Sequence, residues 1–266
     1  MDEIREGIKL DTIHFSAMIP EGIPHFEGLT VSSSFMGYPV KYAKIKDYPY
    51  LIDLADGVKL YFSNRRKQGR YPSAKIVLGH TSSNKIPLTG IMSYLKKILP
   101  SWVSIWNLTR VDVASDSFIP FQEYIQKVMP LGFEGTMCRS EEYHTFSSKK
   151  HGDTTYYFGT GDIIVRLYNK QLEQKSDFPW SRAEFQFRGD KIRQARPADC
   201  FDAVTDVGLV QTICALVADG LHFFRPCQKF VDGRPELCVI SSFWLSLFDI
   251  LVHPEKLRRR SNMYYV

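Results

Sequence analysis

The feature that most constrains this 266-residue chain is a pair of segments, DIIVRLYNK (162–170) and WSRAEFQFRGD (180–190), in which apolar and polar residues alternate. A period of two puts successive side chains on opposite faces of a strand. Ile163, Val165 and Leu167 then share one face, and Arg166, Tyr168 and Lys170 share the other. In the second segment Ala183, Phe185 and Phe187 take one face, while Arg182, Glu184, Gln186 and Arg188 take the opposite one. The connection QLEQKSDFP is short enough for an antiparallel hairpin, its register open by a residue or two. Tyr168 is then opposite or diagonal to Glu184, within reach of a shared substrate.

The first two thirds of the chain read mainly as strands: TIHFSAMI, VKLYFS, AKIVLG, WVSIWNLTRVDVA and TTYYFG are rich in β-branched and aromatic residues. Two helices interrupt them. Thr89 to Leu99 puts Ile91, Leu95 and Ile98 on one face before Pro100, and Pro120 to Met129 does the same with Phe121, Tyr124, Ile125 and Val128 before Pro130. From Asp202 to Leu221, and again from Ile240 to Val252, the spacing is helical and apolar nearly all round, which suits helices packed into a core or against a partner. The expectation is an α+β fold with a mostly antiparallel central sheet carrying the active site, and a helical C-terminal part. Residues 1–190 would form the sheet-rich catalytic region, with 191–266 packed on the same domain.

Charge and composition narrow the function. The excess of 34 Lys and Arg over 29 Asp and Glu is concentrated in two windows. One holds Arg65, Arg66, Lys67 and Arg70, the other Lys256, Arg258, Arg259 and Arg260; without residues 65–70 and 255–260 the chain has 26 bases and 28 acids. Focused positive charge of this kind suits a polyanion such as DNA, although a solvated loop and a ragged terminus would look the same. The most apolar run, Val207 to Ala218, is too short to cross a bilayer and contains Gln211 and Thr212. With an opening, MDEIREGIKLD, that lacks a secretory apolar stretch, the expected location is the cytoplasm and no membrane partner is expected. The five cysteines are widely spaced and form no C-x-x-C, as free thiols do. No P-loop motif and no close histidine pair is present, which argues against a nucleotide cofactor and a histidine-bound metal.

A tyrosine flanked at i−2 and i+2 by Arg166 and Lys170, with a carboxylate across the ladder, suits phosphoryl transfer. Cations or a metal would favour the phenolate, hold the phosphate and offset transition-state charge. In RVDVASD (110–116), Asp112 is an acid on a strand otherwise fit for an interior. A divalent cation shared with Glu184 would compensate it, and so would a structural ion pair with Arg166 or Arg182. Spacing leaves both open.

In order and spacing, RVDVASD, TTYYFGTGDIIVRLYNKQLEQ and WSRAEFQFRGD resemble the Rep-trans family, the replication initiators of rolling-circle plasmids, and related relaxases of some conjugative elements. The resemblance runs from about Asp11 to Arg188 and is most specific from RLYNK to RAEFQFRG. It implies that Tyr168 is the DNA nucleophile, that Arg166 and Lys170 assist it, and that Asp112 and Glu184 hold Mg²⁺ or Mn²⁺. Asp116 shares the face of Asp112 but lies about four residues of strand away, some ~13 Å, so one ion reaches both only if the strand bends. Where family members often carry Ser-Arg-Lys-Ser, this chain has Thr160, Gly161 and Asp162, and a basic phosphate contact is absent.

The implied activity is metal-dependent nicking and joining at a replication origin through a 5′-phosphotyrosine. The implied partners are origin DNA, double-stranded with a hairpin or single-stranded at the nick, a second copy in a homodimer, and a host helicase. A relaxase of a mobile element would share the chemistry. A non-catalytic single-strand binder, with Tyr168 as a stacking platform, would not form a covalent bond to DNA.

Overall fold

The computed structural model describes residues 7–18, 31, 33–35, 37–45, 47–63, 73–79, 86–98, 105–129, 136–138, 143–147, 154–195, 205–226, 230–231 and 234–235. By its internal packing the chain divides into two compact units. One comprises Leu10–Val111 with Ile192–Thr212, the other Met1–Lys9, Asp112–Lys191 and Ile213–Val266. The fold is α+β.

In the unit built around Leu10–Val111, the strands are β1 (Gly7–Met18), β2 (Ser34–Phe35), β3 (Tyr38–Tyr42), β4 (Tyr50–Asp53), β5 (Val58–Phe62), β6 (Ser73–Leu78) and the first part of β7 (Ile105–Ser117). They lie in the order β2-β3-β4-β5-β6-β1-β7. Pairing is antiparallel from β2 through to β1. Val40, Ile52, Leu60, Ile76 and Phe15 stand in one cross-strand row and are all buried. That row explains why the β5 and β6 sequences alternate so cleanly: one face is core and the other carries Lys59, Tyr61, Lys75 and Val77. Strands β2 to β4 are absent from the sequence expectation, because they are short and punctuated by Gly37 and Pro39, residues that read as turn. The expected first helix is α1 (Ile91–Ile98), with Ile91, Met92 and Leu95 buried. Its opening N–H groups are satisfied from far along the chain. The Asp206 carboxylate accepts from the backbone N–H of Met92 at 2.7 Å and of Ser93 at 3.3 Å, and from the Ser93 hydroxyl at 2.6 Å.

In the unit containing Asp112–Lys191, the rest of β7 is followed by α2 (Phe121–Val128), β8 (Thr136–Cys138), β9 (Tyr143–Ser147), β10 (Thr154–Phe158), β11 (Ile163–Asn169), α3 (Lys170–Gln174), β12 (Ser181–Arg188) and α4 (Gly189–Ala195). The sheet order is β7-β12-β11-β10-β9. Helix α5 (Asp206–Phe223) follows, then three short strands: β13 (Phe224–Pro226), which pairs with β8, and β14 (Phe230–Val231), which pairs with β15 (Arg234–Pro235). The apolar faces of β11 and β12 oppose residue for residue, Val165 with Phe185 and Leu167 with Ala183, and all four are buried. The α5 backbone comes close to this surface at Gly220. A Cβ there would meet Phe187 Cζ at 2.8 Å and Phe185 Cδ1 at 2.9 Å, so only hydrogen fits.

Helix α5 matches the expected helix from Asp202 in type but not in all-round burial: Leu209, Thr212, Ile213, Leu216 and Val217 are buried while Val207, Gln211 and Ala215 are exposed. The helix expected over Ile240 to Val252 lies outside the described residues. One local expectation is corrected. Lys170 does not continue the strand face of Arg166 and Tyr168, because β11 ends at Asn169 and Lys170 opens α3. Asn169 is the reason: its side-chain oxygen accepts from Leu172 N–H at 3.3 Å, an N-cap that starts a helical turn.

Candidate active site

The hairpin of β11 and β12 sets the register. Arg166 faces Glu184 directly and Tyr168 faces Arg182, so Tyr168 is diagonal to Glu184. Diagonal neighbours on one face are within reach of long side chains, and the Tyr168 hydroxyl donates to Glu184 Oε2 at 3.2 Å. The Arg166 Nη2 donates to the other oxygen, Oε1. Glu184 is 3% exposed, so its charge is compensated by the guanidinium rather than by water. Arg166 Nε is buried and has no hydrogen-bond partner among the described residues.

Glu184 is the middle of three successive face positions on β12, each with its own partner. Below it, Arg182 grips Asp116 with Nε at 2.6 Å and Nη2 at 3.0 Å, both side chains essentially out of solvent. Above it, Gln186 Nε2 donates to Asp112 Oδ2 at 3.3 Å. The two contacts step in opposite directions along β7 and β12, as antiparallel neighbours require. Asp112, Asp116 and Glu184 therefore share one polar face, and all three are buried. The ion pairs differ from those that spacing suggests: Arg182 takes Asp116 and Arg166 takes Glu184. In the sequence Asp116 stands out only as a distant neighbour of Asp112, yet 112/116 and 182/186 have the same spacing, and that matched spacing is the available signal.

Lys170, though on a helix, remains at the site. Its Nζ lies 5.6 Å from the centroid of the Tyr168 ring and pairs with Glu173. A second phenol that senses this face is Tyr124, fully buried on α2. Burial pushes its hydroxyl far above the ordinary tyrosine range, Asp116 adds to the shift and Arg182 opposes it, so Tyr124 stays protonated and is unsuited to attack.

Asp162, which stands where a basic phosphate contact is missing, has structural work. Its Oδ2 accepts from Asp190 N–H at 2.9 Å and its backbone carbonyl from Arg188 N–H at 2.8 Å, tying the start of β11 to the start of α4. The helix turns in at Gly189, whose φ of +51° and lack of a Cβ let the Asp162 carboxylate approach.

Asp112 and Glu184 are hard oxygen donors on neighbouring strands, suited to Mg²⁺ or Mn²⁺, ions that bind through one or two carboxylates and complete their shell with water and substrate phosphate. Among the described residues no group of three His, Cys, Asp or Glu comes together to make a closed cage. Both carboxylates are buried, Asp112 accepting from Gln186 and Glu184 from Arg166 and Tyr168. The basic windows, Arg65, Arg66, Lys67 and Arg70, and Lys256, Arg258, Arg259 and Arg260, lie outside the described residues. Among the described residues no helix is long and apolar enough to cross a membrane.

No protein-family model matches the sequence, and no curated protein matches it. The fold does have a counterpart. The chain is similar to the solved structure of a rolling circle replication initiator protein from Geobacillus stearothermophilus, with a TM-score of 0.55 over 92% of this chain and 97% of that one, at 18% identity.

Proposed function

We propose that this protein is a plasmid rolling-circle replication initiator that nicks and rejoins DNA at the origin, with Tyr168 as nucleophile. The observation that carries the reading is the convergence of the Tyr168 hydroxyl and the Arg166 guanidinium on the two oxygens of one buried carboxylate, Glu184. A fold shared with a rolling-circle initiator supports it.

In this reading Tyr168 Oη attacks the scissile phosphorus, and its proton passes to Glu184 Oε2, which already accepts it in a hydrogen bond. The bond from phosphorus to the 3′-oxygen breaks, leaving a 5′-phosphotyrosyl link and a 3′-hydroxyl, protonated from solvent, to prime synthesis. Arg166, with its unsatisfied Nε–H, and Lys170 offset charge on the phosphate oxygens and on the phenolate. The Arg182–Asp116 pair fixes the strand beneath Tyr168. A Mg²⁺ or Mn²⁺ held by Asp112 and Glu184 would supply Lewis-acid polarisation of the phosphate. Because the phosphotyrosine conserves the bond energy, the reverse attack by a 3′-hydroxyl rejoins the strand.

The test is Tyr168→Phe, which keeps the ring and removes the nucleophilic oxygen. Incubated with supercoiled origin plasmid and Mg²⁺ or Mn²⁺, the variant should give no denaturation-resistant protein–DNA adduct while binding the plasmid as the parent does. Nicking at the parental rate would overturn the assignment.

A further inference from the structure

Beyond the chemistry at Tyr168, the connection from α3 to β12 holds an aromatic side chain in an unusual way. Phe178 is 37% exposed, yet its backbone is pinned on both sides. Its N–H donates to Ser176 Oγ at 3.2 Å, and Ser176 Oγ donates to its carbonyl at 3.2 Å. Gln171 ties the same segment down, with its backbone N–H on the Trp180 carbonyl at 2.8 Å and its side chain on the Ser176 carbonyl at 3.3 Å. The Phe178 ring stacks on Trp180, centroids 6.0 Å apart and planes 19° apart, and takes the edge of Phe118 at 5.3 Å. Trp180 in turn carries the Arg182 guanidinium over its face at 5.7 Å, and Arg182 is the cross-strand partner of Tyr168. A series of faces therefore runs from an accessible ring through a buried indole to an arginine whose backbone position pairs with Tyr168.

A rigid, accessible aromatic face is what an unpaired nucleobase stacks on, because every base has a π-face and stacking needs no particular hydrogen-bond pattern. The surroundings do not suit a broad apolar contact with a protein. Along the chain, Glu173, Gln174, Lys175 and Asp177 beside Phe178 are all exposed, and the half-buried Phe118 borders the ring at its edge, so its immediate sequence neighbours are largely polar. We propose that Phe178 is a stacking platform for an unpaired base of single-stranded DNA near the strand break. The proposal rests on the reading of Tyr168 as nucleophile, since that is what places the strand at this end of the hairpin.

The test uses the full chain and fluorescently labelled oligothymidylate at low salt. Phe178→Leu should weaken binding by roughly 5- to 150-fold, the range that corresponds to removing one stacking ring, and Phe178→Tyr should bind like the parent. An abasic oligomer of the same length should bind parent and Phe178→Leu equally. Parental affinity in Phe178→Leu, or an equal loss on the abasic oligomer, would overturn the proposal and leave the ring as an anchor for the connection or for a protein partner. A measurement on the parent protein avoids any folding defect: photolysis with an iodouracil-substituted oligomer should give an adduct mapping to Phe178 by mass spectrometry, and adducts found only elsewhere would overturn it. Failure of the parent to bind oligothymidylate at all would defeat the nicking reading as well, whereas binding that is indifferent to Phe178 defeats the platform alone.

Discussion

A phenol with a pKa of about 10 is a poor nucleophile at neutral pH, so the residues around Tyr168 decide whether it can attack. Here one carboxylate takes its proton side and two cations flank it. Asp112→Asn and Glu184→Gln should both lower nicking strongly at saturating DNA. The two should differ in kind: excess Mn²⁺ should partly restore Asp112→Asn, whereas Glu184→Gln also loses the proton acceptor and should stay slow, as single-turnover assays over a metal titration will show. A metal titration in which neither variant shifts the midpoint would remove both from the ligand set. Asp116 should behave as a structural residue. Replacing it with Ala removes the carboxylate that accepts from two N–H groups of the buried Arg182 guanidinium, which costs about 3–5 kcal/mol, measurable by urea denaturation. Sequence alone places Arg166, Tyr168 and Glu184 on one face because strand parity is rigid. It cannot choose which acid each arginine takes, since that depends on the β7–β12 register, and nothing local encodes the alignment of strands more than sixty residues apart.

At the scale of elements, the strands legible in sequence are those with one fully apolar face. β12 is legible even though its polar face is also buried, because its polar residues are long and still alternate with Ala183, Phe185 and Phe187. β3 and β4 escape because four or five residues give too few alternations to count against a nearby proline or glycine. Lys170 reads as strand for a different reason: a capping asparagine inside an alternating run outweighs the run. Helix α5 reads as buried on nearly every face, yet it buries one side, at Gly220 against Phe185 and Phe187, and leaves Val207, Gln211 and Ala215 exposed, because apolar spacing shows what a face can bury and not what packs on it. Gly220→Ala should gain helix propensity of up to about 1 kcal/mol. Overpacking against the fully buried Phe187 should cost about 1–3 kcal/mol and outweigh it. A lowered melting temperature by circular dichroism is the expected result; a raised one would mean the two rings can move aside.

At the scale of the whole molecule, DNA affinity should follow the focused charge. Arg65, Arg66, Lys67 and Arg70 fall in the stretch that joins the paired strands β5 and β6. Replacing all four with Ala should flatten the slope of log affinity against log salt by several units, at about 0.9 for each duplex phosphate that is no longer neutralised. Cognate and unrelated duplexes should weaken alike, because phosphate binding carries no sequence information. An unchanged slope in anisotropy titrations would move the DNA surface to Lys256, Arg258, Arg259 and Arg260. The division into two units has a consequence of another kind, for anyone wishing to make the halves separately. Each passage of the chain from one unit to the other falls inside a regular element: Lys9 to Leu10 in β1, Val111 to Asp112 in β7, Lys191 to Ile192 in α4, and Thr212 to Ile213 in α5. Separable domains meet at linkers. This gene offers no such seam, so a truncation meant to isolate the Tyr168 hairpin would begin or end in the middle of a strand or a helix and yield a fragment with torn hydrogen bonds rather than a working half.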